Sequence, residues 1–325
     1  MALLAIQFGL QPLFQKACID KHQVNKTSLV MATEVVKALL CLIVMRLQGS
    51  RSCRAVLSGW TLSESLAAAA FPAACYSAQN WLAQTAYMHL DSLTYNLLNQ
   101  TKTLSAAVCT YLVMGRRQSG PQVAALLLLL AAAMLLNLPS GSGRGDTGST
   151  ASGKAARAAA AAPKRLDFEM GVLPVLGASF LSGFSGAVTQ RTLQSHNRSS
   201  YLLSLELAIY GCLAMALSLP GSADGARMGR EGFFAGWTPL TALPVITQAA
   251  GGVVVGQVTK HAGSVRKGFA LIAGILITAL VQSFMEQEPL SASHYGAALL
   301  TALGTYLHAS YPYRLPIDVA SEKVD

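Results

Sequence analysis

Charge is scarce in this chain. Only 12% of its 325 residues are Asp, Glu, Lys or Arg, about half the share found in soluble domains. That deficit excludes an ordinary soluble globular protein. The six cysteines (Cys18, Cys41, Cys53, Cys75, Cys109 and Cys212) form no CxxC and no metal-ligand spacing, and most sit in apolar stretches. Cysteine there behaves as a small hydrophobe, so no disulfide framework, metal site or cofactor is expected. A Walker A sequence is missing, so an ATP-driven pump is not expected. HExxH, a Ser/His/Asp arrangement and paired carboxylates outside apolar matrix are missing too, so no enzyme is expected. The opening run MALLAIQFGLQPLF lacks a basic n-region and an A-x-A site, so a removable signal peptide is not expected.

What is present is apolar: 52% of residues are hydrophobic and the mean hydropathy is +0.43. A spanning helix needs about 20 mainly apolar residues. Such helices are expected at 2–19, 27–47, 62–88, 92–114, 120–138, 170–190, 200–219, 238–259, 265–285 and 292–312, separated by charged or Gly/Pro-rich breaks. Residues 139–165 are low-complexity and cannot bury a core. The expected organisation is a first five-helix repeat over 1–138, a linker over 139–168, a second five-helix repeat over 169–313 and a tail over 314–325. The fold class is thus all-α integral membrane, ten transmembrane helices as two inverted five-helix repeats, because an odd count flips the second half. The repeat follows from counting, not from visible self-similarity. The net charge of +9 comes from Lys and Arg spread over short loops rather than gathered on a domain, so lipid headgroups, not nucleic acid, are the expected partner. Basic residues in short loops favour a cytosolic N-terminus.

Four ionisable residues lie inside apolar stretches: Glu34, Lys37, Lys102 and Glu206. A charge at mid-membrane costs at least a few kcal/mol, so these residues mark a bundle interior or a water-filled path. Tyr95, Asn99 and Lys102 fall at i, i+4 and i+7 on one helix face, with Lys102 about 15 Å past Ser92. A lysine at that depth wants an anion: either Glu34 or Glu206, or a substrate phosphate. Glu34 and Lys37, at i, i+3, can neutralise each other, with Glu34 otherwise orienting Lys37 towards the cavity. Gln79 and Asn80, on a stripe with Tyr76 and Tyr87, either glue helices together or bind ligand. Glu206 serves equally as counter-ion, proton carrier or hydrogen-bond acceptor. Gln7, Gln11 and Gln15 suggest a first helix lining a polar interior. Gly251, Gly252 and Gly256 allow close helix approach, and Lys260, His261, Arg266 and Lys267 make a basic cluster at one membrane face. That cluster is either positive-inside topology or an electropositive mouth for an anion. Three sequons, at Asn25, Asn99 and Asn197, lie in or beside expected helices and should be unused.

The stretches TEVVKALL, QNWLAQTAYMHLDSLTYNLLNQTK, GFSGAVTQRTLQ, SSYLLSLELAIYG, EGFFAGW and GGVVVGQVTKHAGSVRKGFA cover most of the chain outside the linker. In order and spacing they resemble the nucleotide-sugar transporters, ten-helix members of the drug/metabolite transporter superfamily. QFGLQPLFQKACI, FPAACYSAQNWL, LDSLTYNLLNQTK and HAGSVRKGF look like the plant-type UDP-N-acetylglucosamine/UDP-N-acetylgalactosamine branch. The resemblance implies exchange of a cytosolic nucleotide sugar for a lumenal nucleoside monophosphate. It places Lys37, Tyr95 and Lys102 at the phosphate end of the pocket, Asn80 on the nucleotide side, and Lys267 in the family's late K-G-F element. Ser204 and Ala208 replace the asparagine and tyrosine of the CMP-sialic acid branch, which argues against a cytidine nucleotide. The expected function is antiport of a UDP-N-acetylhexosamine against UMP, with UDP-galactose, CMP-sialic acid, or a non-transporting scaffold for glycosyltransferases as alternatives. The expected setting is a multi-pass protein of the Golgi or endoplasmic reticulum, with a homodimer allowed. The tail PIDVASEKVD departs from the lysine-rich tail typical of retention in the latter.

Overall fold

The computed structural model describes residues 1–20, 23–49, 58, 60–90, 92–137, 168–287, 290 and 292–312. The low-complexity linker and the tail lie outside the described residues. Lipid offers no partner to a backbone N–H or C=O, so an apolar run must satisfy its own ladder as a helix. The described residues accordingly form helices and no strands.

In chain order these are α1 (Ala2–Cys18), α2 (Lys26–Leu47), α3 (Leu62–Ser65), α4 (Phe71–His89), α5 (Ser92–Asn99), α6 (Thr101–Met114) and α7 (Gly120–Asn137) in the first half. The second half has α8 (Leu173–Gln194), α9 (Ser200–Ser218), α10 (Ala223–Glu231), α11 (Ala242–Ala262), α12 (Ser264–Glu286) and α13 (Ala292–Ser310). Five segments are long and apolar enough to cross a membrane: Lys26–Leu47, Phe168–Gln194, Ser200–Gly221, Pro239–Ala262 and Ser264–Met285.

Local chemistry sets the boundaries. The Asn25 side chain caps α2, accepting from the Thr27 N–H at 2.9 Å. The same residue is buried and donates to the Asp224 carbonyl. Wide π turns, Leu66–Ala70 and Phe168–Val172, precede Pro72 and Pro174. Proline withdraws one N–H and crowds the turn before it, which widens the helix there. Gly115, at φ +67, ends α6 in the left-handed region.

The sequence expectation differs from the structure in two places. The single helix expected over 92–114 is interrupted at Gln100, so Lys102 stands in the first turn of α6 rather than mid-helix. The break expected around Asp224 to Glu231 is helix α10. Ser222 caps it through the Gly225 N–H, Asp224 sits in its first turn, and Arg227 bonds Glu231 at 2.8 Å.

Packing is between halves. α6 lies along α8, and α1 along α12. α4 also packs on α8, and α1 on α11. α2 meets α9 and α11, α4 meets α9, and α7 meets α13. The interior is rich in small side chains. Leu126, Leu129, Phe269 and Ile272 pack with Ala125, Ala132, Ala133 and Ala297. Leu4 and Ala5 meet Val258 and Ala270. Without a hydrophobic drive in lipid, close approach of small residues holds such helices. Gly183 shows how close the approach is: a Cβ there would lie 2.6 Å from the Ser105 backbone.

Candidate functional site

A cavity of about 250 Å³ opens where α2, α4, α8, α9, α11 and α12 converge. Its charged lining is lysine: Lys37 from α2 and Lys267 from α12. Hydroxyls surround them, from Tyr76, Thr189, Ser200, Ser204, Thr259 and Ser264. Lys102, in the first turn of α6, stands outside the cavity lining but close enough to Lys267 for the two charges to repel. Two lysines thus line the cavity and a third stands beside one of them, with no carboxylate in the lining among the described residues.

Their charges are not equivalent. Lys37 is already paired, its Nζ 2.5 Å from Glu34 Oε2. Among the described residues, neither Lys102 nor Lys267 has a carboxylate partner. A buried cation left without an anion carries several kcal/mol of desolvation cost. Two adjacent ones make a place where a phosphate is strongly favoured, because charge-assisted bonds strengthen as water is excluded.

The glycines of α11 shape this space. A Cβ on Gly252 would lie 2.7 Å from Lys37 Cδ, and one on Gly256 would lie 2.6 Å from Ser204 Oγ. A Cβ on Gly251 would strike the Gln7 amide. The sequence suggested close helix approach; the missing side chains instead make room for polar side chains of α1, α2 and α9.

One end of the cavity, the end of the bundle that carries Met1, is closed by a polar wall. Gln190 Oε1 accepts from both the N–H and the hydroxyl of Ser264, each at 2.8 Å. Gln190 Nε2 donates to Gln194 Oε1 at 3.0 Å, and Gln194 Nε2 donates to the Thr259 and Lys260 carbonyls. Arg116, from the loop after α6, donates to Gln194 Oε1 at 2.8 Å. The wall thus ties the second half to the first. Gly263, at φ +88, turns the chain from α11 into α12, and a Cβ there would meet the Gln190 amide at 2.9 Å.

Several expected site residues stand elsewhere. Glu206 is buried but faces away from the lysines: it takes Arg198 Nη2 at 2.6 Å and the Trp60 indole N–H at 2.8 Å. It is the counter-ion of an arginine, and it does not line the cavity. Asn80 is on the exposed face of α4, where Gln79 Nε2 approaches its Oδ1 at 3.5 Å. Tyr95 and Asn99 are half-buried on α5, outside the cavity lining. Gln11 staples α1 to α11, donating to the Pro244 carbonyl and accepting from Thr247, both at 2.8 Å. Sequence reasoning missed Thr189, Gln190, Gln194, Thr259 and Ser264. Their signal was faint: Gln190 and Gln194, at i, i+4, read simply as the polar end of an apolar helix.

Comparison with known proteins agrees with this geometry. The nucleotide-sugar transporter family matches residues 1–307. The UDP-N-acetylglucosamine transporter ROCK1 of Arabidopsis thaliana is 41% identical over 322 residues, covering 99% of this chain and 93% of that protein. The UDP-N-acetylglucosamine transporter of Homo sapiens is 28% identical over 89% of this chain and 86% of its own length. The UDP-galactose translocator of Mus musculus is 29% identical, covering 89% and 70%. One crystal structure shares the fold at a TM-score of 0.60 and 13% identity, covering 94% of this chain and 93% of that one. A match across nearly the whole chain, over a cavity furnished with lysines and hydroxyls, leads to one conclusion: the chain belongs to the nucleotide-sugar transporter family.

Proposed function

We propose that this transporter exchanges a UDP-N-acetylhexosamine for UMP across a Golgi or endoplasmic reticulum membrane. The observation that carries the reading is the pair Lys102 and Lys267, adjacent and without a carboxylate. Phosphate is the group both ligands share, and it is what such a pair binds best. The hydroxyls of Ser200, Ser204 and Thr259 supply donors and acceptors for base and sugar. An empty carrier would have to reorient with unpaired charge inside, and that penalty favours movement of the loaded form only. Lys37, held by Glu34, contributes a third cation at the same end. Tyr95, Asn99 and Asn80 belong to the reading through the family resemblance, and Glu206 supports the helix that carries Ser204.

Ten spans in two inverted halves fit the packing. Equating α1 with α8, α2 with α9, α4 with α11, α6 with α12 and α7 with α13 turns the contact α6–α8 into α12–α1, α4–α8 into α11–α1, and α2–α11 into α9–α4. The pairs α2–α9 and α7–α13 map onto themselves. That exchange is the pattern a pseudo-two-fold axis in the membrane plane produces. At about 250 Å³ the space is smaller than the roughly 300–1,000 Å³ of ordinary ligand pockets, so the halves must part to admit a nucleotide sugar.

N-acetylglucosamine as the sugar is supported by the plant and mammalian relatives named for it. UDP-galactose is a second reading, favoured by the mouse relative named as its translocator. Thermal stabilisation of the purified protein by UMP, CMP, GMP and AMP tests the base. A ligand of the folded state at 100 times its Kd adds about 2.7 kcal/mol. A shift selective for UMP is expected; a CMP-selective shift, or none with any nucleotide, would overturn the proposal.

A further inference from the structure

Beyond the wall, at the Met1 end, lies a larger cavity of about 940 Å³. Arg116, Arg117, His261, Arg266 and His308 line it, and among the described residues no acidic one does. These five come from the loop after α6, the last turn of α11, α12 and α13, so the convergence is made by the fold rather than by a run in the sequence. Positive-inside topology explains basic residues in loops; it does not explain why these side chains converge on one open cleft. His308 is buried, and its Nε2 has no hydrogen-bond partner among the described residues. The Gln118 Oε1 is likewise buried and unpartnered. Both atoms are shielded from the cavity space, so it is the converging cations that call for an anion there.

We infer that this outer cavity is a second phosphate-binding site, distinct from the central one and separated from it by the Gln190–Ser264 wall. Consecutive residues serve the two sites: Arg266 lines the outer cavity and Lys267 the central one. Two sources supply the phosphate chemistry. One is the nucleotide ligand itself, which would dock here before passing the wall; that role rests on the transport reading. The volume fits it, falling within the roughly 300–1,000 Å³ typical of small-molecule sites. The other is an anionic lipid headgroup. An apolar cleft of about 300 Å³, lined by Ala5, Phe269, Ala270 and Ala273, shares Arg266 and His308 with the outer cavity and would take an acyl chain.

The test is equilibrium binding of UDP to the full-length protein in phosphatidylcholine nanodiscs, at low and high salt. Wild type is expected to show two classes of site, the weaker one salt-sensitive. Arg117→Gln with Arg266→Gln should weaken that class alone by at least about tenfold, as loss of a charge-assisted bond does. Arg117→Lys with Arg266→Lys should largely retain it. Lys267→Met should remove the other class and leave the outer one, which separates failure of the central pocket from failure of this inference. In discs carrying phosphatidylinositol 4-phosphate, a lipid occupant would abolish the weaker UDP class and copurify with wild type but not with the Gln variant. A single UDP class in wild type, together with lipid retention equal in wild type and Gln variant, would overturn the inference.

Discussion

Neutralising Lys267 should make the empty transporter more stable and the loaded one weaker. Lys267 and Lys102 repel across the cavity edge, and no carboxylate compensates either among the described residues. At an effective permittivity near 20, two unit charges within about 8 Å of each other repel by about 2 kcal/mol or more. Lys267→Met keeps the length of the stem and removes that repulsion together with the desolvation cost of one ammonium. The ligand-free protein should therefore melt several degrees higher, since about 1 kcal/mol moves a domain of this order by about 2–4 °C. The same change removes a charge-assisted bond to phosphate, worth about 1.5–3 kcal/mol. UMP affinity should fall by roughly ten- to a hundredfold, and a UMP concentration that stabilises wild type should scarcely stabilise the variant. Differential scanning fluorimetry with and without UMP reads both effects in one experiment. A variant that melts lower than wild type and keeps the full UMP shift would refute the reasoning, because Lys267 would then be a structural residue.

Gly252→Ala should press on Lys37 through the 2.7 Å approach to its Cδ, lowering UMP affinity about tenfold and stability by about 1–3 kcal/mol, as overpacking does. Gly229→Ala in α10 meets nothing and should stabilise by about 0.5–1 kcal/mol with unchanged binding; calorimetry with UMP compares the two. Glu206→Gln leaves Arg198 with only Glu64 at 3.8 Å and should cost about 3–5 kcal/mol, while the folded fraction binds UMP normally. Lost affinity at normal stability would instead make Glu206 a ligand. Gln11→Leu removes two hydrogen bonds between α1 and α11 and should lower stability by about 2 kcal/mol, with uptake per folded molecule unchanged.

Hydropathy made the helices legible, because a bilayer leaves apolar runs no alternative to the helix. Depth then singled out Glu34, Lys37 and Lys102, and the Glu34–Lys37 pair was readable from its i, i+3 spacing alone. Lys267 was named as a pocket residue only through the family resemblance: it follows Arg266 in a basic run, and periodicity could not say that one faces an outer cavity and the other the centre. Glu206 misled for the opposite reason. An isolated intramembrane carboxylate looks functional until Arg198, eight residues earlier and across a turn, is seen to reach back to it. The α11 glycines gave the right residues with the wrong partner, since spacing reports that a helix face is bare but not what fills the gap. The glutamine wall was invisible because side-chain amides carry no positional signature. The break at Gln100 was hidden too, its neighbours reading as one continuous apolar-polar helix.

Obligatory exchange on the central lysines is the core of this account, and one assay addresses it directly. Purified protein in liposomes preloaded with UMP, with CMP, or with buffer alone is presented with radiolabelled UDP-N-acetylglucosamine. The account predicts rapid uptake only into UMP-loaded vesicles, abolished by Lys102→Ala in a variant that folds normally. Equal uptake into empty vesicles, or near-normal uptake by the Lys102 variant, would contradict it.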